Sequence, residues 1–250
     1  MVVQDSYSQL GSFRGSTLKN KVKDQARLST GCDALDRLMD GGVIQGILTG
    51  VSGESGVGKS QLAFQLAALC AATHGPVLFV DSCGTFRPER IVSICNARGI
   101  DYTSVLEKIL VIRVNTIDEQ IDIVNQAIRI HQSDGLKLLI LDTLTDAFVD
   151  SQESEENSFG KRSQLAIHLN DLSHLASELD ISTLITNGIR ERFIPHISRV
   201  EVGGNTVSQG LHLQIRFGKM NNDFYAETLY PPSSCKRVNY FIKESGLVDV

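Results

Sequence analysis

The sequence predicts an α/β fold: a central, mostly parallel sheet flanked by helices, with antiparallel strands added at the carboxyl end. Three observations carry this prediction. From Leu28 onward, short apolar runs alternate with helix-period segments, the pattern of strand–helix–strand units. A glycine-rich loop joins one such run directly to one such helix. Residues 211–242 instead hold three short segments separated by turn residues, which reads as an antiparallel closure.

The elements follow in order. Residues 1–27 are polar and carry Arg14, Lys19, Lys21, Lys23 and Arg27 against Asp24, so a flexible basic arm is expected before a core spanning 28–250. Gly46–Val51 reads as a short buried strand. Ser60–Ala72 reads as a helix with Leu62, Leu66, Leu69 and Cys70 on one stripe. Pro76–Asp81 is a second strand and Ile109–Val114 a third, followed by an isoleucine-rich helix over Glu119–His131. Leu136–Asp142 is the most apolar strand and, like the second, ends in a carboxylate. An acidic loop at Asp150–Asn157 precedes a long helix around Ser163–Leu179 and a buried strand at Ile181–Thr186. Segments 211–217, 223–229 and 238–242 close the chain, with turns at Met220-Asn221-Asn222 and Pro231-Pro232-Ser233.

The 250 residues are 42% hydrophobic and 21% charged, enough for one sizeable core. No apolar run approaches the roughly 18 residues of a membrane span, and the amino terminus lacks a signal-peptide core. No membrane partner is therefore expected, and the location expected is cytoplasmic, or nuclear in a eukaryote. Cys32, Cys70, Cys83, Cys95 and Cys235 form no C-x-x-C pair, so they are read as reduced and mostly buried. A net charge of −5 excludes a domain-wide basic footprint for nucleic acid and leaves only local contacts.

The loop itself is Gly53-Glu54-Ser55-Gly56-Val57-Gly58-Lys59-Ser60, a complete G-x-x-x-x-G-K-[ST] phosphate-binding loop. Its glycines let successive N–H groups turn toward phosphate oxygens. Lys59 reaches the β/γ-phosphates and the Ser60 hydroxyl suits Mg²⁺. The helix that follows points its positive end at the same anions. ATP or another nucleotide, with Mg²⁺, is the ligand this pattern fits. Such a loop needs a carboxylate on a neighbouring strand for the metal. Asp142 is favoured because its strand is the more apolar; Asp81 stays open as the alternative, and either could instead cap a following turn.

Several segments in this order resemble the RecA/RadA recombinase family, in its archaeal and eukaryotic branch. They are Leu28–Leu38 with Gly41-Gly42-Val43, the phosphate loop with Gln61-Leu62-Ala63, and Asp81–Arg90 (DSCGTFRPER). Leu141–Thr145, Ile185-Thr186-Asn187, Gly203-Gly204-Asn205 and Ile242–Gly246 complete the series over about 28–250. The resemblance implies a RecA-like ATPase core acting in homologous recombination and DNA repair. It implies ATP packed against Arg87, and single-stranded DNA bound by two loops at about Asp146–Lys161 and Gly188–Asn205.

Three departures shape the expected function. The family's water-orienting glutamate falls on Cys83 and its γ-phosphate-sensing glutamine on Gly188; a histidine further along falls on Gln209. A thiol, with an ordinary pKa near 8.5, is a poor proton acceptor at neutral pH. The first loop is acidic (Asp150, Glu153, Glu155, Glu156), which repels phosphates. The second interleaves Arg190, Arg192, Phe193, His196 and Arg199, a pattern that suits single strands. The family's amino-terminal helical domain has no room within 27 residues, and Phe13-Arg14-Gly15-Ser16 is a weak match to its polymerisation motif. The expectation is thus a core-only paralogue of the RadB kind. It would bind ATP and single-stranded DNA, hydrolyse ATP weakly or not at all, and assist a RecA/RadA-type recombinase or pair with a paralogue subunit. An active DNA-dependent ATPase performing strand exchange, and a regulatory ATP-binding module without DNA, stay open beside it.

Overall fold

The computed structural model describes residues 25–148, 155–194, 197–201, 203–231 and 237–250, with backbone alone for 155–159, 190–194 and 197–201. Arg27–Leu28 (β1) pairs antiparallel with Val43–Ile44 (β2), and the short helix Asp33–Leu38 (α1) lies between them in sequence. Leu48–Gly53 (β3) leads through the phosphate loop into Lys59–Thr73 (α2). Val77–Asp81 (β4), Pro88–Ala97 (α3), Tyr102–Glu107 (α4) and Ile109–Arg113 (β5) follow, then Ile117–Asp134 (α5) and Leu138–Asp142 (β6). Glu155–Leu179 (α6), Ser182–Ile194 (β7), Ile197–Glu201 (β8) and Gly204–Gly210 (α7) come next. Leu213–Met220 (β9), Asp223–Tyr230 (β10), Arg237–Lys243 (β11) and Gly246–Asp249 (β12) end the chain.

The main sheet runs β12-β11-β10-β9-β3-β7-β6-β4-β5, with β8 paired to β7 off that path. β9, β3, β7, β6, β4 and β5 are mutually parallel, and β10 to β12 are antiparallel additions. This is the predicted class, and it follows from the side chains. Val77 and Phe79 pack with Leu138 and Ile140 in one cluster beneath α2 and α3. Leu78 and Val80 pack with Leu139 and Leu141 in a second beneath α5 and α6. A sheet buried on both faces needs such unbroken apolar runs. Asn221 (φ 50°) and Asn222 (φ 73°) make the tight turn between β9 and β10, where a hairpin twist demands left-handed backbone.

Three expectations shift. α2 is buried on nearly all sides, Ala63, Phe64 and Ala67 included, whereas Leu69 is only half-buried. It is wedged between the sheet and α3, α4 and β12, so a single stripe was too narrow a reading. α5 starts at Ile117 because Thr116 and Glu119 form a reciprocal cap: Thr116 Oγ1 accepts from Glu119 N (3.2 Å), and Glu119 Oε2 accepts from Thr116 N (3.2 Å). Residues 188–205, read as a loop, hold a β-ribbon and the start of α7 instead. β7 continues past Thr186 and pairs Arg190 with Val200 and Glu191 with Arg199. The stretch at 1–24, Phe13–Ser16 included, lies outside the described residues, as do Asp150–Ser154 and His196.

The carboxyl end is tied to the amino end of the core. Asp249 accepts from Ala34 N (2.6 Å) and Asp33 N (3.0 Å) at the start of α1. Buried Gln65, on α2, donates to Leu247 O (3.1 Å) and to Thr30 O. Gly246 (φ 100°) lets the chain turn directly over the Gln65 amide, where an added Cβ would overlap its Oε1. Gly246→Ala combines left-handed strain with a broken buried amide pairing. We expect a loss of roughly 3 kcal/mol, read as a melting temperature lower by roughly 6–12 °C.

Candidate nucleotide site

The phosphate loop leaves the sheet at Gly53, which is still in register with Gly188 on β7 and Phe217 on β9. It re-enters helix at Lys59, after Gly58 takes φ 99° as the N-cap of α2. Only glycine turns there without strain, and the turn aims the first N–H groups of α2 outward, toward an anion. The Tyr240 hydroxyl, buried under the loop, donates to Val57 O (2.5 Å) and pins it from below; burial pushes that phenol's pKa up. Gly53 to Ser60 therefore sit together as the motif predicts. Ser55, Gly56, Gly58, Lys59 and Ser60 line a groove of about 560 Å³.

The opposite wall was not foreseen. Arg90, Ile242, Lys243 and Glu244 line it. Arg90 donates to Glu244 O (2.7 Å), Lys243 O (2.6 Å) and Gln61 Oε1, so α3 holds the β11–β12 turn against the start of α2. Arg98, just past the end of α3 and about two turns beyond Arg90, repeats the device, donating to Ser245 O (2.8 Å) and Gly31 O (3.2 Å). The R-P-E-R segment marks Arg90 only as part of a signature; its backbone partners lie some 150 residues away in sequence, beyond any local pattern. Arg87 is different. It is exposed, donates back to Gly84 O (3.1 Å) and Phe86 O (2.9 Å), and is not among the groove-lining residues.

Lys59 folds over the loop and donates to Gly53 O (2.9 Å) and Glu54 O (2.8 Å). Burial lowers its pKa, and Asp142, Cys83, Asp146 and Glu54 each pull it back up. An ammonium ringed by such groups is ready to exchange its backbone partners for phosphate oxygens.

The two strand-end carboxylates are equally deep, so burial does not separate them. Their partners do. Asp81 accepts from Thr85 N (2.9 Å) and Phe86 N (3.1 Å) and pairs with Arg113 (3.6 Å), which commits it to the turn before α3. Asp142 accepts from the Thr186 hydroxyl at Oδ1, while its buried Oδ2 has no hydrogen-bond partner of ordinary geometry. Burial raises its pKa, opposed by Thr186, Ser60 and Lys59 in that order. A buried carboxylate oxygen without a donor, beside the Ser60 hydroxyl, is what a divalent cation would complete. Ser60 and Asp142 thus fit Mg²⁺, which would supply positive charge to polarise the phosphates. Among the described residues no cluster of three or more His, Cys, Asp or Glu offers a metal site independent of a nucleotide.

Cys83 lies on the turn after β4, with Sγ 2.6 Å from Asp146 Oδ2 and 3.3 Å from Thr143 Oγ1. The residue is exposed as a whole, yet its sulfur is pressed between those groups. Partial burial and then the Asp146 hydrogen bond push the thiol up to about 11. It is therefore a protonated donor at neutral pH. Gly188 brings no side chain to the site, but Asn187 beside it is buried and accepts from Thr145 Oγ1 (2.7 Å). Gln209 is exposed on α7. Among the described residues Cys32, Cys70 and Cys95 are buried free thiols and Cys83 an exposed one; Cys235 lies outside the described residues.

The putting together of a phosphate loop, a metal-ready carboxylate and a mostly parallel sheet with antiparallel carboxyl-terminal strands matches a RecA-like core. A family model described as Rad51 matches residues 21–250, beginning inside the basic arm. Proteins of that family bind ATP with Mg²⁺ and act in recombination and repair, and no helix among the described residues is long and apolar enough to cross a membrane. With all but the first 20 residues matched, the chain belongs to the Rad51 family.

Proposed function

We propose that this chain is a recombinase paralogue that binds Mg·ATP, turns it over slowly at most, and acts beside a recombinase on single-stranded DNA. One observation carries the reading: a complete phosphate loop faces a protonated thiol, Cys83, where a water-orienting carboxylate is needed. Binding and hydrolysis draw on different groups. Lys59, Ser60 and the loop N–H groups hold phosphate, and Arg90 and Lys243 add positive charge to the groove. A thiol with a pKa near 11 donates a proton and does not take one from water. Adenine stacked on the exposed Arg87 guanidinium belongs to the same reading.

The DNA part rests on the β7–β8 ribbon, whose sequence carries Arg190, Arg192, Phe193 and Arg199; a sequence that interleaves cations with an aromatic suits phosphates and bases. The partner part rests on β5, the outermost strand of the sheet, where Leu110 and Val111 are 40% and 42% exposed. An open apolar edge is a ready place for another protomer to add a strand. The test is ATP turnover measured with and without single-stranded DNA, and with and without a cognate recombinase. The expected outcome is slow turnover that DNA stimulates little, with DNA retained at low salt. Robust DNA-stimulated hydrolysis would instead make this an active strand-exchange ATPase. Intact ATP binding with no DNA retention would make it a regulatory module.

A further inference from the structure

We propose that Asp146 is the catalytic base of this site, accepting the proton of the attacking water in place of the carboxylate missing at position 83. The inference rests on the nucleotide-site reading above. Three carboxylates lie at or just beyond the ends of β4 and β6, with Glu54 of the phosphate loop as a fourth near Lys59, and their surroundings divide the work. Asp81 is consumed by two backbone N–H groups and Arg113. Asp142 is buried beside Ser60 and suits the metal. Glu54 is exposed but lies on the phosphate loop itself; of the other three, Asp146 alone is exposed, where it can both meet water and release a proton to solvent.

Its position is fixed from several sides. The turn that carries it is held by Leu144 N to Thr186 O (3.1 Å), Gln120 Nε2 to Leu144 O (2.6 Å) and Thr145 Oγ1 to Asn187 Oδ1 (2.7 Å). Cys83 then engages Oδ2 at 2.6 Å, which leaves the carboxylate a second oxygen for a water proton. Asp146 is among the carboxylates whose charge raises the Lys59 pKa, so it lies near that phosphate-binding group. Cys83 is accordingly a positioning residue: its S–H orients a carboxylate reaching over from the next strand. In the step, the water oxygen bonds to the γ-phosphorus while the bond to the β–γ bridging oxygen breaks. ADP leaves with that electron pair, and the water proton passes to Asp146 and on to solvent.

Full-length wild type and Asp146→Asn are compared in three measurements. Single-turnover hydrolysis of labelled Mg·ATP should fall by about 100-fold, the range for loss of a general base. Retention of Mg·ADP with aluminium fluoride, a mimic of the phosphoryl group in transfer, should weaken at least about 10-fold while Mg·ADP alone binds equally. Alkylation of Cys83 by iodoacetamide at pH 8, followed on its peptide by mass spectrometry, should quicken, because the thiol loses an anionic neighbour. Equal fluoride trapping in the two proteins, or a wild type that binds Mg·ADP and traps no fluoride complex, overturns the assignment. Unchanged alkylation overturns the contact on which it stands. A wild type that binds no nucleotide at all overturns the underlying reading instead.

Discussion

Cys83→Glu raises single-turnover ATP hydrolysis by about 10-fold or more, since a positioned carboxylate base contributes roughly 10²–10⁴ to such steps. The full gain is withheld by Asp146. A glutamate at position 83 meets that carboxylate within hydrogen-bonding reach of the present sulfur, and two like charges there cannot both stay ionised and well placed. The second substitution therefore changes sign with its background. Asp146→Asn slows the wild-type chain but speeds the Cys83→Glu chain, because it then removes a competitor and leaves an amide to hydrogen-bond the new base. Four proteins in a double-mutant cycle, assayed for hydrolysis with equal nucleotide occupancy, read this out. Additive effects would show that positions 83 and 146 do not act on one water, and no gain from Cys83→Glu in either background would place the block to hydrolysis elsewhere.

Lys59→Ala removes nucleotide binding, with affinity for Mg·ATP lower by at least about 100-fold. Two charge-assisted hydrogen bonds to phosphate, at roughly 1.5–3 kcal/mol each, account for that loss. The fold should survive, because the ammonium contacts only two carbonyls of its own loop, Gly53 O and Glu54 O. Titration of a fluorescent nucleotide, with a melting curve as control, separates lost binding from lost structure. A further sign is expected in the same variant. Lys59 is one of the groups holding the Asp142 pKa down against burial, so its removal pushes that carboxyl further up. Unchanged affinity would remove the phosphate loop from the site.

The sheet and the loop were legible because each has a local signature. Continuous apolar runs at β4 and β6 mean burial on both faces, and G-x-x-x-x-G-K-[ST] has a fixed backbone solution. What was hidden depends on partners distant in sequence. The strand expected to end at Thr186 runs on through Asn187 and Gly188 because β3 pairs with them, Ser52 with Asn187 and Gly53 with Gly188. β3 itself reaches Gly53 for the same reason, two residues past its sequence-based end. Asp142 was favoured over Asp81 by strand apolarity, a property the two strands share; the useful difference lay in Thr85, Phe86 and Arg113, which claim only Asp81. Asp146 carries no sequence signal, since its meaning comes from Cys83, 63 residues earlier. The reciprocal cap Thr116–Glu119, by contrast, was plain in the sequence and would have placed the start of α5.

β7 has one more consequence. It is a single strand from Ser182, in the middle of the sheet, through Asn187, in register with Ser52 just before the phosphate loop, to Ile194 in the ribbon. Thr145, next to Asp146, is bonded to that same strand. A ligand gripping the ribbon and a nucleotide in the loop would thus pull on one piece of backbone. Thermodynamic linkage makes such an exchange symmetric: whatever factor a ligand on the ribbon would apply to the affinity for nucleotide, nucleotide would return to the affinity for that ligand. Glycine at 188 loosens one torsion in the middle of that rod. Filling it with a side chain would stiffen the transmission, and the factor by which each ligand alters the other's affinity would change equally in both directions.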